Sequence, residues 1–303
     1  MPELQHSLTS TSSPDTWEAW VRRWCEVLQQ APRDSLAGSA MNASAADVGT
    51  GANRPHALVF APHPDDECIV GALPLRLKRE AGWRVTNIAV TLGSRQGRRA
   101  ERWAELQAAC EVLGFEVRLL AEQGLEQVKP EAADAGTPLW QAQVALVAAL
   151  LKTERPGLIL VPHAGDGIPT HIGVHRLVAE ALHQSKLSTV VAWTEFWATQ
   201  PEPNLLVETG IADTACLVRA LSCHHGEIAR NPYHLRLPAW MADNVRRGGE
   251  LLAGAGETPP AFGFATLYRL SRWIDGQPAN DLPATMAACD VPLPLLPSFW
   301  SLP

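Results

Sequence analysis

Four titratable side chains stand together at positions 62–67, where the chain reads Pro-His-Pro-Asp-Asp-Glu. They are the imidazole of His63 and three consecutive carboxylates that begin with Asp65. This hexapeptide ends the apolar run ALVFAP (57–62), which is typical of a buried strand. Ligands bind at the carboxyl ends of strands in open α/β sheets, and a helix N-terminus favours charged carboxylates. The hexapeptide is therefore a candidate ligand or metal site.

His63 and Asp66 are close enough in sequence to bind one metal ion, but a catalytic zinc site takes three protein ligands and an open position. A third ligand is available after a second apolar run, LILVP (158–162), where His171 is predicted to open a helix with Thr170 as its cap. If the two strands are neighbours, the three side chains meet. Taken alone, each segment also fits an ordinary capped turn or a histidine satisfied within the fold.

Alternating strand and helix patterns must position these segments. Strands are predicted at 57–62, 84–92, 116–120, 158–162, 189–197, 205–209 and 262–270. Helices are predicted from the hexapeptide to about 80, at 98–113 and 138–152, from about 173 to about 185, and at 212–230 and 238–252. This alternation indicates βαβ units and a Rossmann-like α/β fold, a mainly parallel sheet flanked by helices.

The predicted α/β domain covers residues 55–275 and leaves two flanking segments. Residues 1–54 combine a helix bearing Trp17, Trp20 and Trp24 with a linker rich in Ala, Gly and Ser. Residues 276–303 form a proline-rich tail. Either segment is expected to pack on the core or on a second copy of the chain in a homo-oligomer.

Composition narrows the class of protein. The 303 residues are 46% hydrophobic and 19% charged, which disfavours wholesale disorder. No apolar run approaches the length of a membrane span, and the first thirty residues do not read as a secretory signal. The net charge of -7 without a basic stripe argues against nucleic-acid partners. The six cysteines show no CxxC pair, so reduced thiols and a cytoplasmic location are expected.

Several motifs resemble the PIG-L/LmbE superfamily of zinc-dependent de-N-acetylases. They are the hexapeptide after the first strand, the Thr-Leu-Gly-Ser segment (91–94) followed by RRAERWAEL, the Pro-Thr-His at 169–171, and the stretch ALSCHH at 220–225. The resemblance implies a three-layer LmbE-like sandwich that binds Zn²⁺ or another divalent transition metal. It implies His63, Asp66 and His171 as metal ligands and Asp65 as general base.

The sequence departs from that family at one position. The family's later motif is His-Pro-Asp-His, whose first histidine is thought to stabilise the oxyanion or protonate the leaving group, and Ile168 stands there in this chain. Candidates to take over this role are His163, His175 and His224 with its neighbour His225. His175 lies one helical turn after His171, so it is alternatively a fourth ligand, an outer-shell partner or a structural residue.

Substrate contacts are predicted near two strand ends. One of three arginines could orient a sugar hydroxyl or an anionic group, as an arginine does in that family; they are Arg95, Arg98 and Arg99. Alternatively, these arginines are simply solvated side chains at the start of a helix. Asp166 could hydrogen-bond a ligand histidine or a sugar hydroxyl, or be a turn residue. Glu101, Arg102 and Glu105 are expected to be exposed helix partners. Trp193 and Trp197 could stack on a sugar or lie in the core.

The expected function is a zinc-dependent hydrolase that removes an N-acetyl or other N-acyl group from a small amino sugar or glycoconjugate. The alternative is a non-catalytic metal- or carbohydrate-binding relative, motivated by Ile168. A nucleotide-binding Rossmann enzyme is disfavoured, because the first βα turn lacks GxGxxG.

Overall fold

The computed structural model describes residues 54–293 and seven residues between 18 and 26. The chain divides into two compact units, Met1–Ser39 and Ala40–Pro303. In the first unit, residues 18, 19, 21–23, 25 and 26 are helical and exposed. The predictions for Trp17, Trp20 and Trp24, for the linker and for most of the proline-rich run at 291–300 lie outside the described residues.

A nine-stranded mixed sheet forms the centre of the described part of the second unit. Its strands are β1 (His56–Ala61), β2 (Arg84–Ala89), β3 (Glu116–Leu119), β4 (Leu158–Pro162), β5 (Thr189–Thr194), β6 (Leu205–Glu208), β7 (Ala265–Ile274), β8 (Gln277–Asp281) and β9 (Thr285–Ala287). They lie in the order β3-β2-β1-β4-β5-β7-β6-β9, with β8 beside β7. The first five strands are mutually parallel, whereas β7 runs antiparallel to β5, β6 and β8. The expectation of a mainly parallel sheet is confirmed for this half.

Helices cover both faces of the sheet. They are α1 (Asp66–Ile69), α2 (Ala72–Ala81), α3 (Arg99–Leu113), α4 (Pro130–Ala135), α5 (Pro138–Glu154), α6 (Pro169–Ser185), α7 (Ile211–Ser222), α8 (His225–Arg230) and α9 (Tyr233–Gly248), with a 3₁₀ turn at Gln96–Arg98 and a π turn at Gly249–Ala253. None of these described helices is long and apolar enough to cross a membrane.

Strand β1 shows why the sheet is covered twice. Its alternate residues face opposite sides, so that Ala57 and Val59 join one core cluster while Leu58 and Phe60 join the other. The first cluster includes side chains of α2, α3, α7 and α9, and the second includes side chains of α5 and α6. Both faces of β1 are therefore buried, as parallel strands require. This arrangement is the predicted α/β sandwich of helix, sheet and helix.

Several helices differ from the prediction, and the helix predicted from the hexapeptide to about 80 divides into α1 and α2. Helix α9 begins at Tyr233 and contains Pro238, which the sequence prediction had placed at the helix start. Helix α6 begins at Pro169, so Thr170 lies inside its first turn and is not the cap. The single helix predicted over 212–230 divides into α7 and α8.

Strands β8 and β9 were not predicted. Strand β8 is an exposed edge that carries a proline, and β9 has only three residues, so neither shows a strand pattern. The fully buried Arg76 fixes the end of β9 and the segment after it, because its guanidinium donates hydrogen bonds to the carbonyls of Ala287, Ala288 and Val291. A long-range contact of this kind leaves no mark on the local sequence.

Candidate metal centre

The two motif-bearing segments follow neighbouring strands. Strands β1 and β4 are paired, with Ala57 opposite Leu158. From β1 the chain builds β2 and β3 on one side, and it then places β4 and β5 on the other side. This change of direction opens a crevice at the carboxyl ends of β1 and β4, where open α/β sheets bind ligands.

Three predicted ligands converge in this crevice. The Nδ1 atom of His63 lies 3.3 Å from Nε2 of His171 and 3.7 Å from Oδ2 of Asp66. The Nε2 atom of His171 lies 3.5 Å from Oδ1 of Asp66. Asp66 and His171 are buried and His63 is half-buried. The structure thus brings two imidazole nitrogens and a carboxylate oxygen to one point, all within 4.8 Å of one another.

The residues fit a zinc ion. The Oδ1 atom of Asp66 is buried and has no hydrogen-bond partner among the described residues. An unpaired buried carboxylate oxygen is costly unless a cation or a donor satisfies it. Two histidines and one carboxylate are a donor set that catalytic zinc sites use.

The protonation states of His63 and Asp66 also suit a metal, whereas Asp66 and Asp166 raise the pKa of His171 although burial alone would lower it. Burial, then the neighbouring His171 and Arg102, lowers the pKa of His63 to about 3, so its imidazole is neutral at pH 7. Burial raises the pKa of Asp66 to about 6, although His171 opposes this shift. Neutral imidazole and ionised carboxylate are the forms that bind metals.

Asp65 stands beside the ligands in an unusual backbone conformation. Its φ is 126°, a value that non-glycine residues rarely adopt. Its backbone N–H donates a 3.0 Å hydrogen bond to Oε2 of Glu67, which closes the turn. Burial, and next the negative charge of Asp66, raises the pKa of Asp65 well above its ordinary value. A carboxyl group that binds protons readily is thereby held next to the candidate metal ligands.

Behind this turn, Glu67 forms a buried pair with His224. The His224 Nε2 donates to Oε1 of Glu67 at 2.7 Å, and Sγ of Cys68 donates to the same oxygen at 3.1 Å. Burial alone would raise the pKa of Glu67, but His224 lowers it below its ordinary value. The Nε2 atom of His224 is thus occupied by Glu67, which makes His224 a support of the Asp65 turn.

We expect His224→Ala to lower the free energy of unfolding by about 3 kcal/mol, because it leaves the fully buried Glu67 carboxylate without its partner. The adjacent His225 is exposed, and His225→Ala is expected to change the same quantity by less than about 0.5 kcal/mol. Urea unfolding of both variants measures the difference. Equal stability of the two variants would show that the buried pair is not needed.

His163 and His175 make contacts within their own loops. The His163 Nε2 donates to the carbonyl of Ala198 at 3.0 Å, and its Nδ1 accepts from the N–H of Gly165 at 3.2 Å. The His175 Nδ1 donates to the carbonyl of Pro162 at 3.0 Å, and its ring packs on Trp193. The structure therefore does not bring either ring into the group formed by His63, Asp66 and His171.

Asp166 lies next to His171, which agrees with one of the alternatives that the sequence left open for it. Its Oδ2 lies 3.4 Å from Nδ1 of His171, on the side of the ring opposite the ligand nitrogen. Its oxygens also accept hydrogen bonds from the backbone N–H groups of Ile168 and Trp197. Carboxylates in this position fix the ring orientation and raise the basicity of metal-binding histidines.

Two of the three predicted arginines form ion pairs with glutamates. Arg95 is exposed, Arg98 pairs with Glu101 and Glu227, and Arg99 pairs with Glu126. Arg102 contacts the hexapeptide, because it donates a 3.0 Å hydrogen bond to the carbonyl of Pro64, and it opposes the raised pKa of Asp65.

The expectation that Arg102 and Glu105 are exposed was wrong. Glu105 is buried and accepts a 2.9 Å hydrogen bond from the N–H of Gly226, and Arg102 lies 3.7 Å from Glu227. Helix α8 covers the start of α3 and encloses these side chains. The only local signal was that Arg102 lies within the motif RRAERWAEL.

The tryptophan in β5 and the one that follows this strand differ in exposure. Trp193 is half-buried and donates a hydrogen bond to the hydroxyl of Ser271, whereas Trp197 is 46% exposed. Trp197 is thus free to contact a ligand.

Known structures share this fold. The chain is similar to a conserved protein from Thermus thermophilus (20% identity, TM-score 0.53, covering 70% of this chain and 92% of that one). It is also similar to N,N'-diacetylchitobiose deacetylase from Pyrococcus horikoshii (15% identity, TM-score 0.52, covering 88% of this chain and 95% of that one). A third similar structure is 4-carboxy-2-hydroxymuconate hydratase from Pseudomonas putida (18% identity, TM-score 0.51, covering 71% of this chain and 95% of that one). Because a deacetylase and a hydratase both have this fold, the fold alone does not decide the reaction.

Comparison of the sequence with protein families gives a match for part of the chain. No curated protein sequence matches this chain significantly. Residues 58–182 match the family described as PIG-L, GlcNAc-PI de-N-acetylase, and that range contains both segments of the candidate metal centre. The resemblance seen in the motifs is confirmed over residues 58–182, which match the model of this family.

Proposed function

We propose that this protein is a zinc-dependent hydrolase that removes an N-acetyl or other N-acyl group from an amino sugar or glycoconjugate. The observation that carries the proposal is the convergence of His63, Asp66 and His171 on one point with the carboxyl group of Asp65 beside them. The PIG-L match supports the reaction class, and the deacetylase among the structural neighbours is compatible with it.

His63, Asp66 and His171 would hold the zinc ion. When bound, zinc supplies Lewis acidity that polarises an amide carbonyl and lowers the pKa of a water molecule toward about 7. The remaining chemistry belongs to the side chains of this protein.

Asp65 is the proposed general base. Its carboxylate accepts a proton from the attacking water as the oxygen adds to the amide carbon, and it returns that proton to the nitrogen as the C–N bond breaks. The products are a carboxylic acid and a free amine. Glu67 fixes the turn that carries Asp65, and Asp166 fixes the ring of His171. Both therefore act through the residues that they position.

A second candidate function is metal or carbohydrate binding without catalysis. It is favoured by Ile168, which stands where the family has a histidine, and by the internal contacts of His163 and His175. A buried carboxyl group of raised pKa beside the metal ligands supports the hydrolase instead.

The test is acetate release from a panel of N-acetylated amino sugars, their oligomers and their conjugates. We expect zinc-loaded protein to release acetate from at least one of them, and a chelator followed by zinc to remove and restore the activity. If the protein binds zinc at one ion per chain and no member of the panel releases acetate, the binding function replaces the hydrolase.

The proposal includes a cytoplasmic location and a small-molecule partner. All six cysteines are free, as expected where thiols stay reduced.

A further inference from the structure

Helix α5 carries no charged side chain over most of its length, from position 138 to position 151. One side of the helix belongs to the second core cluster, through Trp140, Val144, Val147, Ala148, Leu150 and Leu151. The other side is exposed, and it is apolar as well. A helix that is apolar on all sides is normally covered on all sides. The exposed side of α5 therefore needs an explanation.

Five aliphatic side chains form most of this exposed side: Leu139, Ala142, Ala145, Leu146 and Ala149. We call them the α5 face. Leu139 is 45% exposed and Leu146 is 40% exposed. Gln141 is the one exposed polar side chain between positions 138 and 149. Single exposed leucines are common on protein surfaces, whereas a contiguous apolar patch marks a contact surface.

Helices α3 and α9 also pack one side against the sheet, but their exposed sides carry charges. Exposed charged residues are Glu101 and Glu111 on α3, and Arg236, Asp243 and Arg246 on α9. The uncharged α5 face is thus a property of this helix and not of the sandwich as a whole.

The α5 face is complementary to a second copy of itself. Leu139, Ala142, Leu146 and Ala149 alternate in size at intervals of three or four residues, the spacing of a coiled-coil seam. When two copies lie antiparallel, Leu139 of one copy faces Ala149 of the other, and Leu146 faces Ala142. Both pairs are centred on position 144, so a single twofold axis produces all four contacts. A large side chain opposite a small one lets two helices pack closely.

The charges at the two ends of α5 favour the same antiparallel arrangement. Helix α4, directly before α5, exposes Glu131 and Asp134, of which Asp134 pairs with Arg176. The other end of α5 exposes Lys152 and Arg155. An antiparallel pair places the basic end of each copy beside the acidic end of the other, whereas a parallel pair would bring like charges together. An anionic lipid surface would repel the acidic end.

We propose that the α5 face is an interface between two copies of this chain, which pair about a twofold axis near position 144 with their α5 helices antiparallel. None of the candidate metal ligands lies on α5, so each copy keeps its own metal centre. The inference does not depend on the proposed hydrolase function, and its test needs neither zinc nor a substrate.

Light scattering on the full chain measures the number of copies per particle. We expect an even number for the wild type, and we expect Leu146→Lys to halve it, because the interface would have to bury two unpaired lysines. The dissociation constant should rise at least about 100-fold. Leu146 is exposed in the single chain and lysine is a good helix former, so circular dichroism should show an unchanged fold.

Leu251→Lys is the matched control, because Leu251 is similarly exposed (48%) in the π turn that follows α9. This variant should keep the number of copies of the wild type. The inference is wrong if the wild type has one copy per particle at micromolar concentration, or if Leu146→Lys and Leu251→Lys have the same number of copies. A single-copy wild type that binds phosphatidylcholine vesicles, and loses this binding in Leu146→Lys, would make the α5 face a membrane contact instead.

Reversing one charge tests the orientation of the two helices. We expect Lys152→Glu to raise the dissociation constant about three- to tenfold at low salt, because a twofold interface contains each charge contact twice. Adding Glu131→Lys to this variant exchanges the charges of the two ends and is expected to restore the affinity. Tighter association of Lys152→Glu would show that like ends meet, and the antiparallel interface would then be wrong.

Discussion

Asp65→Asn is expected to keep zinc bound at one ion per chain and to lower kcat by about 10²–10⁴-fold, the usual contribution of a general base. The amide has the size of the carboxyl group but accepts no proton from water. Asparagine also tolerates positive φ better than most residues, so the turn at φ 126° should be preserved. Metal analysis and acetate release on the same preparation measure both effects.

The matched control is Asp275→Asn. Asp275 is also a non-glycine residue with positive φ, 51°, but it is exposed at the turn between β7 and β8. We expect this variant to retain full activity and metal. Unchanged turnover in Asp65→Asn would show that another group is the base, and loss of zinc in Asp65→Asn would instead make Asp65 part of the metal centre.

His171→Ala is expected to abolish stable zinc binding. It removes one of the three proposed ligands, and the loss in zinc affinity should exceed the roughly 10–100-fold that changes to outer partners of a metal site typically cost. The wild-type protein should hold close to one zinc per chain, and His171→Ala close to none after dialysis. Elemental analysis measures the ratio directly, without any substrate.

His175→Ala provides the comparison, because His175 lies one turn further along α6 and donates to the carbonyl of Pro162. This variant should keep its zinc. If His175→Ala loses the ion while His171→Ala keeps it, the assignment of ligands is wrong. Thermal unfolding of both variants checks that a loss of metal does not come from a loss of fold.

The sequence contained most of the local information about the site. The hexapeptide at 62–67 and the histidine at 171 each follow an apolar run, and parallel strands place such segments at one edge. The pairing of β1 with β4 was the one assumption needed, and the structure confirms it. The proximity of His63, Asp66 and His171 could therefore be predicted from the sequence.

Contacts made across the chain could not be inferred in this way. Glu67 meets His224 over 157 positions, and Glu105 meets the N–H of Gly226 over 121. Charged residues at helical spacing normally face solvent, and only the later helix α8 changes that for Arg102 and Glu105. The sequence pattern of a helix shows which residues share a face. Which of its polar residues become buried depends on the elements that later parts of the chain pack against it.

The backbone conformation of Asp65 restricts which residues could replace it, because a residue with the same chemistry does not necessarily fit the turn. Glutamate offers the same carboxylate, yet it is longer and is less often found at positive φ, so it would combine backbone strain with a displaced oxygen. Asparagine and glycine fit the turn but lack the acid. Variation at residue 65 is thus confined to side chains that keep either the turn or the proton acceptor, and among the common amino acids aspartate alone keeps both.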